Sequence, residues 1–110
     1  MKKGMIKASV AYPNEAGKKF NMDYYLNKHV PMASGLMGDA LKGASIESGL
    51  GGGAPESPAP FIIIASMFFD SMEDFGQAFG SNADQIMSDL PNFTDIEPSI
   101  QISEVMVWVG

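Results

Sequence analysis

The chain has 110 residues, 45% of them hydrophobic and 18% charged, with seven basic residues, all lysine, against 13 acidic ones for a formal net charge of −6. A chain of this length hides roughly 60–70% of its unfolded-state surface on folding, enough for one core and too little for two, so residues 1–110 are expected to form a single domain. The acidic balance and the lack of guanidinium groups argue against nucleic acid, the lack of cysteine excludes thiolate and disulfide chemistry, and no apolar run exceeds five residues, far below the ~20 that span a bilayer.

Met1-Lys2-Lys3 is not followed by a long apolar segment, and a soluble, cytoplasmic protein with no membrane partner is expected. From Met5 to Tyr12 the chain alternates, with Ile6, Ala8, Val10 and Tyr12 on one parity and Lys7 and Ser9 on the other, which predicts a strand with one face on a core. Pro13 to Gly17 ends it. Asn21 is a candidate N-cap for a helix starting near Met22, with Asp23 in its first turn where a negative charge suits the dipole. Tyr25 and His29, four residues apart, share one face of that helix. Pro31 disfavours the α-conformation at Val30, so a kink or restart is expected there, with a second short helix ending near Gly35 or Gly38.

Leu41 to Gly49, poor in large apolar residues, reads as an edge strand. Leu50 to Pro60, dense in Gly, Pro and Ser, reads as a long mobile connection able to act as a lid. Phe61 to Phe69 is apolar on both parities and is expected to be a central strand. Ser71 and Asp74 resemble a capping box with aspartate in place of glutamate. Phe75, Phe79, Ile86, Met87 and Leu90 continue at helical spacing to Pro91, with Gly76 and Gly80 loosening the helix and Ser81 a candidate cap for a second segment. Ile100 to Val109 is the last strand.

The order β-α-β-β-α-β predicts an α+β, ferredoxin-like domain: an antiparallel sheet with both helices on one face. The other face would expose Phe, Ile and Met from the third strand and Val from the fourth, more apolar surface than monomers usually leave in water. A homodimer packing two sheets face to face is the expected remedy.

The run Tyr24-Tyr25-Leu26-Asn27-Lys28-His29-Val30-Pro31, a Tyr-x-x-x-His-x-Pro pattern after a first strand ending in Tyr12-Pro13, resembles the EthD family, named for a component of ethyl tert-butyl ether degradation. Gly49 to Pro55, Phe69-Asp70-Ser71, Phe79-Gly80, Asp89-Leu90-Pro91-Asn92 and Ile100 to Val105 resemble the same family in the same order. The resemblance implies a dimeric α/β barrel of ferredoxin-like subunits. Its barrel relatives include cofactor-free monooxygenases, cyclases, isomerases and haem-handling enzymes, so fold alone does not choose a reaction.

His29 is the only histidine, hence the natural proton acceptor or donor near neutral pH, with Tyr25 beside it as an orienting donor and Tyr12 and Tyr24 as further ligand contacts. Ser9, Ser66 and Phe68 are candidate ligand contacts from the open sheet face, together with Lys7, Gln101 and Ser103; a cavity between sheet and helices is the alternative location. His29 as a helix-end cap and Tyr25 as a core residue are the competing structural readings. No metal is expected, since a single histidine would have to be joined by carboxylates such as Asp23 or Asp39 and no His/Glu spacing of a known site is present, and no cofactor is expected, with haem on His29 a minor alternative. Gly51 to Gly53 lack a following Lys-Ser/Thr and are not a phosphate loop. The leading expectation is a cofactor-independent enzyme acting on a hydrophobic oxygenated or aromatic molecule, as a cyclase, decarboxylase or monooxygenase-like catalyst. The alternative is a non-catalytic binding or accessory protein of a degradation pathway.

Overall fold

The computed structural model describes residues 1–110. Strands β1 (Ile6–Pro13), β2 (Gly43–Ser48), β3 (Phe61–Phe69) and β4 (Ser99–Glu104) form one antiparallel sheet in the order β2-β3-β1-β4. Between β1 and β2 a first helical arm comprises α1 (Met22–Tyr24), a π-helical turn over Tyr25–His29, α2 (Val30–Met37) and a 3-10 turn over Gly38–Ala40. Between β3 and β4 a second arm comprises α3 (Met72–Phe75), a π-helical turn over Gly76–Gly80, α4 (Ala83–Ser88) and a 3-10 turn over Leu90–Asn92. This is the expected α+β, ferredoxin-like βαββαβ arrangement, and none of its helices is long and apolar enough to cross a membrane.

Alternation decides what each face carries. Ile6, Ala8, Val10 and Tyr12 of β1 and Ile63, Ala65, Met67 and Phe69 of β3 are buried beneath the arms. Met67 thus belongs to the covered face, and the open face carries Ile62, Ile64 and Phe68 instead. Across its middle the registers Ser45↔Ser66, Ser66↔Ser9 and Ser9↔Gln101 align one polar row over all four strands. Ser66 is 1% exposed, yet its Oγ has no hydrogen-bond partner.

Both expected caps are present: Asn21 Oδ1 accepts from the Tyr24 backbone N–H at 3.1 Å, and Ser71 Oγ from that of Asp74 at 3.1 Å. The expected restart is present, α2 opening at Val30 with Pro31 in its first turn, but the arm stays helical across the junction. Val30 stays α-helical at φ −61°, ψ −47°, and its N–H reaches the Tyr25 carbonyl five residues back. The widened π turn displaces the carbonyl that the proline ring would strike in a regular helix, so α2 continues through Pro31 to Met37 and is capped by Gly38, whose φ is +58°. In the second arm the cap of α4 is Asn82 rather than Ser81: Ser81 remains helical, while the Asn82 amide donates to Ala78 O at 2.7 Å and Leu36 O at 3.2 Å, joining the two arms.

Two strands are shorter than the patterning suggests. β2 starts only at Gly43 because Leu41 still closes the 3-10 turn, donating to Gly38 O. β4 stops at Glu104 because β1 runs out: Val105 exchanges hydrogen bonds with Met5 and Gly4, and Gly4, at φ +93°, turns its chain away. Met106 to Val109 overhang the sheet, 50–88% exposed. The 49–60 segment is pinned by Gly49 N–H to Ile62 O, Gly52 N–H to Ser57 O and Asn14 Nδ2 to Ala59 O, and none of its residues lines the cavity between the sheet and the arms, contrary to the lid expectation.

The two faces predict unequal costs for neighbouring truncations. Phe69, fully buried under the arms, should lose about 3–5 kcal/mol on substitution to Ala, while Phe68→Ala on the open face should cost well under half of that in the stability of a single chain. Urea denaturation of both variants at low protein concentration measures the difference.

Candidate functional site

The cavity lies between the sheet and the arms, which decides a question that strand parity leaves open. It spans about 580 Å³ including its open mouth, and 15 of its 17 lining residues are hydrophobic, His29 and Ser34 being the others. Val10 and Tyr12 of β1 and Ala65 and Met67 of β3 form its floor. Val30, Ala33 and Met37 wall it from the first arm, and Phe79, Ile86 and Leu90 from the second. No lysine or acidic side chain faces it, so the environment suits an uncharged ligand.

The π turn positions the chemistry. Its wider hydrogen bonding brings side chains four residues apart closer to alignment along the axis than an α-helix does, and the Tyr25 and His29 rings stack with centroids 5.6 Å apart and planes 18° apart. Phe93, itself 1% exposed, packs against His29 at 4.7 Å, Tyr25 at 5.2 Å and Tyr12 at 6.1 Å. Phe93 is held in turn by the segment before α1: the Asn21 N–H donates to Phe93 O at 2.7 Å, and Thr94 Oγ1 donates to Lys19 O at 2.6 Å. His29 is 6% exposed, Tyr12 and Tyr25 each 2%.

On the side away from its free nitrogen, His29 meets a carboxylate. Nδ1 lies 3.0 Å from Asp89 Oδ2. The other carboxylate oxygen, Oδ1, accepts from the Tyr24 hydroxyl at 2.7 Å and from Asn92 Nδ2 at 2.9 Å. Partial burial alone would raise the Asp89 pKa, but the hydrogen bonds from Asn92, Tyr24 and His29 and the His29 charge outweigh it and hold the carboxyl below its ordinary range. Burial pushes the Tyr25 phenol up to about 12. It pushes Tyr12 up further, assisted by the neighbouring Tyr25. Tyr24 is raised as well, first by its bond to Asp89. The Tyr12 and Tyr25 hydroxyls and His29 Nε2 have no hydrogen-bond partner within the protein.

The predicted site residues therefore divide into two groups. Tyr12, Tyr25 and His29 line one cavity, and Tyr24 supports it from behind through Asp89. Ser9, Ser66 and Phe68 lie on the opposite face of the sheet, as do Lys7, Gln101 and Ser103, and do not reach that cavity, because residues of that parity point away from the arms. Sequence reasoning missed Asp89 and Phe93 as site residues. One signal was present: an aspartate at the C-terminal end of a helix opposes the helix dipole, so a carboxylate immediately before Leu90-Pro91 calls for donors from elsewhere. No cluster of three or more metal-ligating side chains converges in the chain.

Comparison with known proteins agrees with this architecture. Residues 16–97 match the family model of the EthD domain. An EthD-like protein from Ralstonia eutropha is 39% identical, covering 96% of this chain and 95% of its own, with a TM-score of 0.87. An ethyl tert-butyl ether degradation family protein from Bacillus halodurans superposes at a TM-score of 0.65 with 18% identity over 93% of this chain and 99% of its own. A Bordetella bronchiseptica protein named after antibiotic biosynthesis monooxygenases shares the fold at a TM-score of 0.57 with 15% identity over 92% and 96%. No curated protein matches.

Alkaline titration tests the phenol environments. Tyr12, Tyr24 and Tyr25 are all the tyrosines of the chain, and each is held protonated beyond its ordinary range. Tyrosinate absorbance should stay low in the native protein at pH values just above about 10, where phenols in denaturant are mostly ionised. The stability these phenols contribute is complete below pH about 10 and is lost as pH rises through their higher folded-state values.

Proposed function

The chain belongs to the EthD family, and from that premise we propose that it is a cytoplasmic, cofactor-independent acid–base enzyme acting on an uncharged hydrophobic molecule that carries a carbonyl or phenolic oxygen. The observation that carries this reading is the set of three polar atoms without protein partners, His29 Nε2 and the Tyr12 and Tyr25 hydroxyls, on residues lining an otherwise apolar cavity. None of the three is sealed off, the one fully enclosed unpaired side-chain atom being Ser66 Oγ, so a ligand with one acidic proton and one acceptor oxygen can reach and pair them.

In this reading Nε2 removes a proton from carbon or oxygen, and the electron pair left behind moves onto the adjacent oxygen. The two phenols, kept protonated by burial, donate to that oxygen and stabilise its charge where water is scarce. The enolate or phenolate so formed is the shared first intermediate of cyclisation and of oxygenation by dioxygen. The stacked Tyr25 and packed Phe93 rings limit His29 to the orientation that faces the ligand.

We infer in addition that the open sheet face packs on a second copy of the chain. Ile62, Ile64 and Phe68 stand on it uncovered by any helix, and Ser66 Oγ is buried there with no partner, a combination that a second sheet would cover and satisfy. Multi-angle light scattering should give the mass of two chains, and Phe68→Lys should return that of one; a wild-type monomer removes the inference.

Nitrobenzisoxazole, a flat neutral heterocycle that opens to a coloured cyanonitrophenolate when a base removes its ring proton, tests the catalytic reading without knowledge of the natural substrate. The protein should open it faster than buffer, and His29→Ala, with unchanged circular dichroism, should return the rate to that of buffer. On the natural substrate the same variant should lower turnover by about 10²- to 10⁴-fold. Opening that is undiminished in His29→Ala would remove His29 from the mechanism.

A further inference from the structure

Asp89 is the one carboxylate hydrogen-bonded to a side chain of the cavity wall, yet it does not line the cavity itself. Its place in the second arm is unfavourable on local grounds: it follows α4, where the helix dipole repels a negative charge. All three of its side-chain donors lie outside α4. Tyr24 belongs to α1, His29 to the first π turn, and Asn92 to the 3-10 turn that follows.

The two oxygens have separate tasks. Oδ1 is occupied twice, by the Tyr24 hydroxyl at 2.7 Å and Asn92 Nδ2 at 2.9 Å, which fixes the carboxylate plane. Oδ2 is then left at 3.0 Å from His29 Nδ1. An ionised carboxylate can only accept, so the hydrogen of the neutral imidazole sits on Nδ1 and the lone pair sits on Nε2. Ring rotation is opposed by the Tyr25 stack on one side and Phe93 on another. The arrangement selects one tautomer and one ring orientation of a single histidine.

Resting on the acid–base reading of the cavity, we infer that Asp89 is a positioning residue for His29: it holds the hydrogen on Nδ1 and so presents Nε2 to the ligand as a proton acceptor, with Tyr24 and Asn92 fixing the carboxylate from behind. In the free imidazole the opposite tautomer, with the hydrogen on Nε2, is preferred and cannot accept a proton from a ligand at that atom. A purely structural ion pair between the arms would not require a particular tautomer in every state of the protein.

Because His29 is the only histidine, long-range proton–nitrogen correlation spectra of isotopically labelled protein report both ring nitrogens without ambiguity. Recorded above the midpoint of the ring titration, the wild-type protein should show the hydrogen on Nδ1, and Asp89→Ala should move most of the population to Nε2. Tyr24→Phe, which leaves the contact at Oδ2 and loosens Oδ1, should give a smaller shift in the same direction and serves if Asp89→Ala does not fold. A wild-type ring with its hydrogen on Nε2, or a tautomer unchanged in a folded Asp89→Ala or, failing that, Tyr24→Phe variant, overturns the inference. The two readings fail separately: the expected tautomers together with nitrobenzisoxazole opening at the buffer rate keep the positioning role of Asp89 and remove the acid–base reading. Opening that depends on His29 with an unmoved tautomer does the reverse.

Discussion

Two-residue alternation along β1 and β3 is the constraint on which the rest of the molecule depends. A slip of one residue in either strand would exchange the faces, moving Tyr12 out of the cavity and Ser9 into it. The register Tyr12↔Ile63, Val10↔Ala65 and Ala8↔Met67 prevents this by placing every covered residue of β1 beside a covered residue of β3. The cavity floor is therefore made of small and medium apolar side chains, with Tyr12 alone bringing a polar atom through it. The reverse face receives the serines and Gln101 as one row, and the two sets of chemistry never meet.

Above that floor, the geometry of the site follows from a conflict in the first arm. The arm must remain continuous to cover the sheet, but Pro31 has no N–H to donate and its ring obstructs the regular pattern. One π turn resolves the conflict, and it falls on Tyr25 to His29. The same adjustment that accommodates the proline stacks the tyrosine on the histidine and turns both toward the cavity and the second arm. Phe93 completes the packing from a segment that has no helical or strand periodicity of its own.

Much of this could be read before any coordinates. The apolar character of both parities marks β3 as central, Asn21 and Ser71 announce the starts of the two arms, and the spacing of Tyr25 and His29 puts them together. The unread parts share a physical cause: they depend on partners remote in the chain. Asp89 stands 60 positions from His29, and nothing in either local sequence specifies the pairing. The end of β4 is set by where β1 begins, and the choice of Asn82 over Ser81 is set by a carbonyl in the other arm. Alternation separates Ser9 from Tyr12 correctly, but which parity the helices cover is decided only when the arms dock.

The sheet order has a consequence for how the site comes into being. The central pair joins β1 to β3, whose paired residues Ile6 and Phe69 are separated by the whole first arm, β2 and the 49–60 segment. Closing so long a loop costs chain entropy before any of its contacts can repay it. The cavity needs that pair as its floor, and the contacts of Phe93 with Tyr12, Tyr25 and His29 additionally need the second arm in place. The ring stack and the carboxylate contact thus belong to the final, most non-local stage of folding. A substitution that slows the closure of β1 on β3 would delay the appearance of a competent site, even where the finished structure is left unchanged.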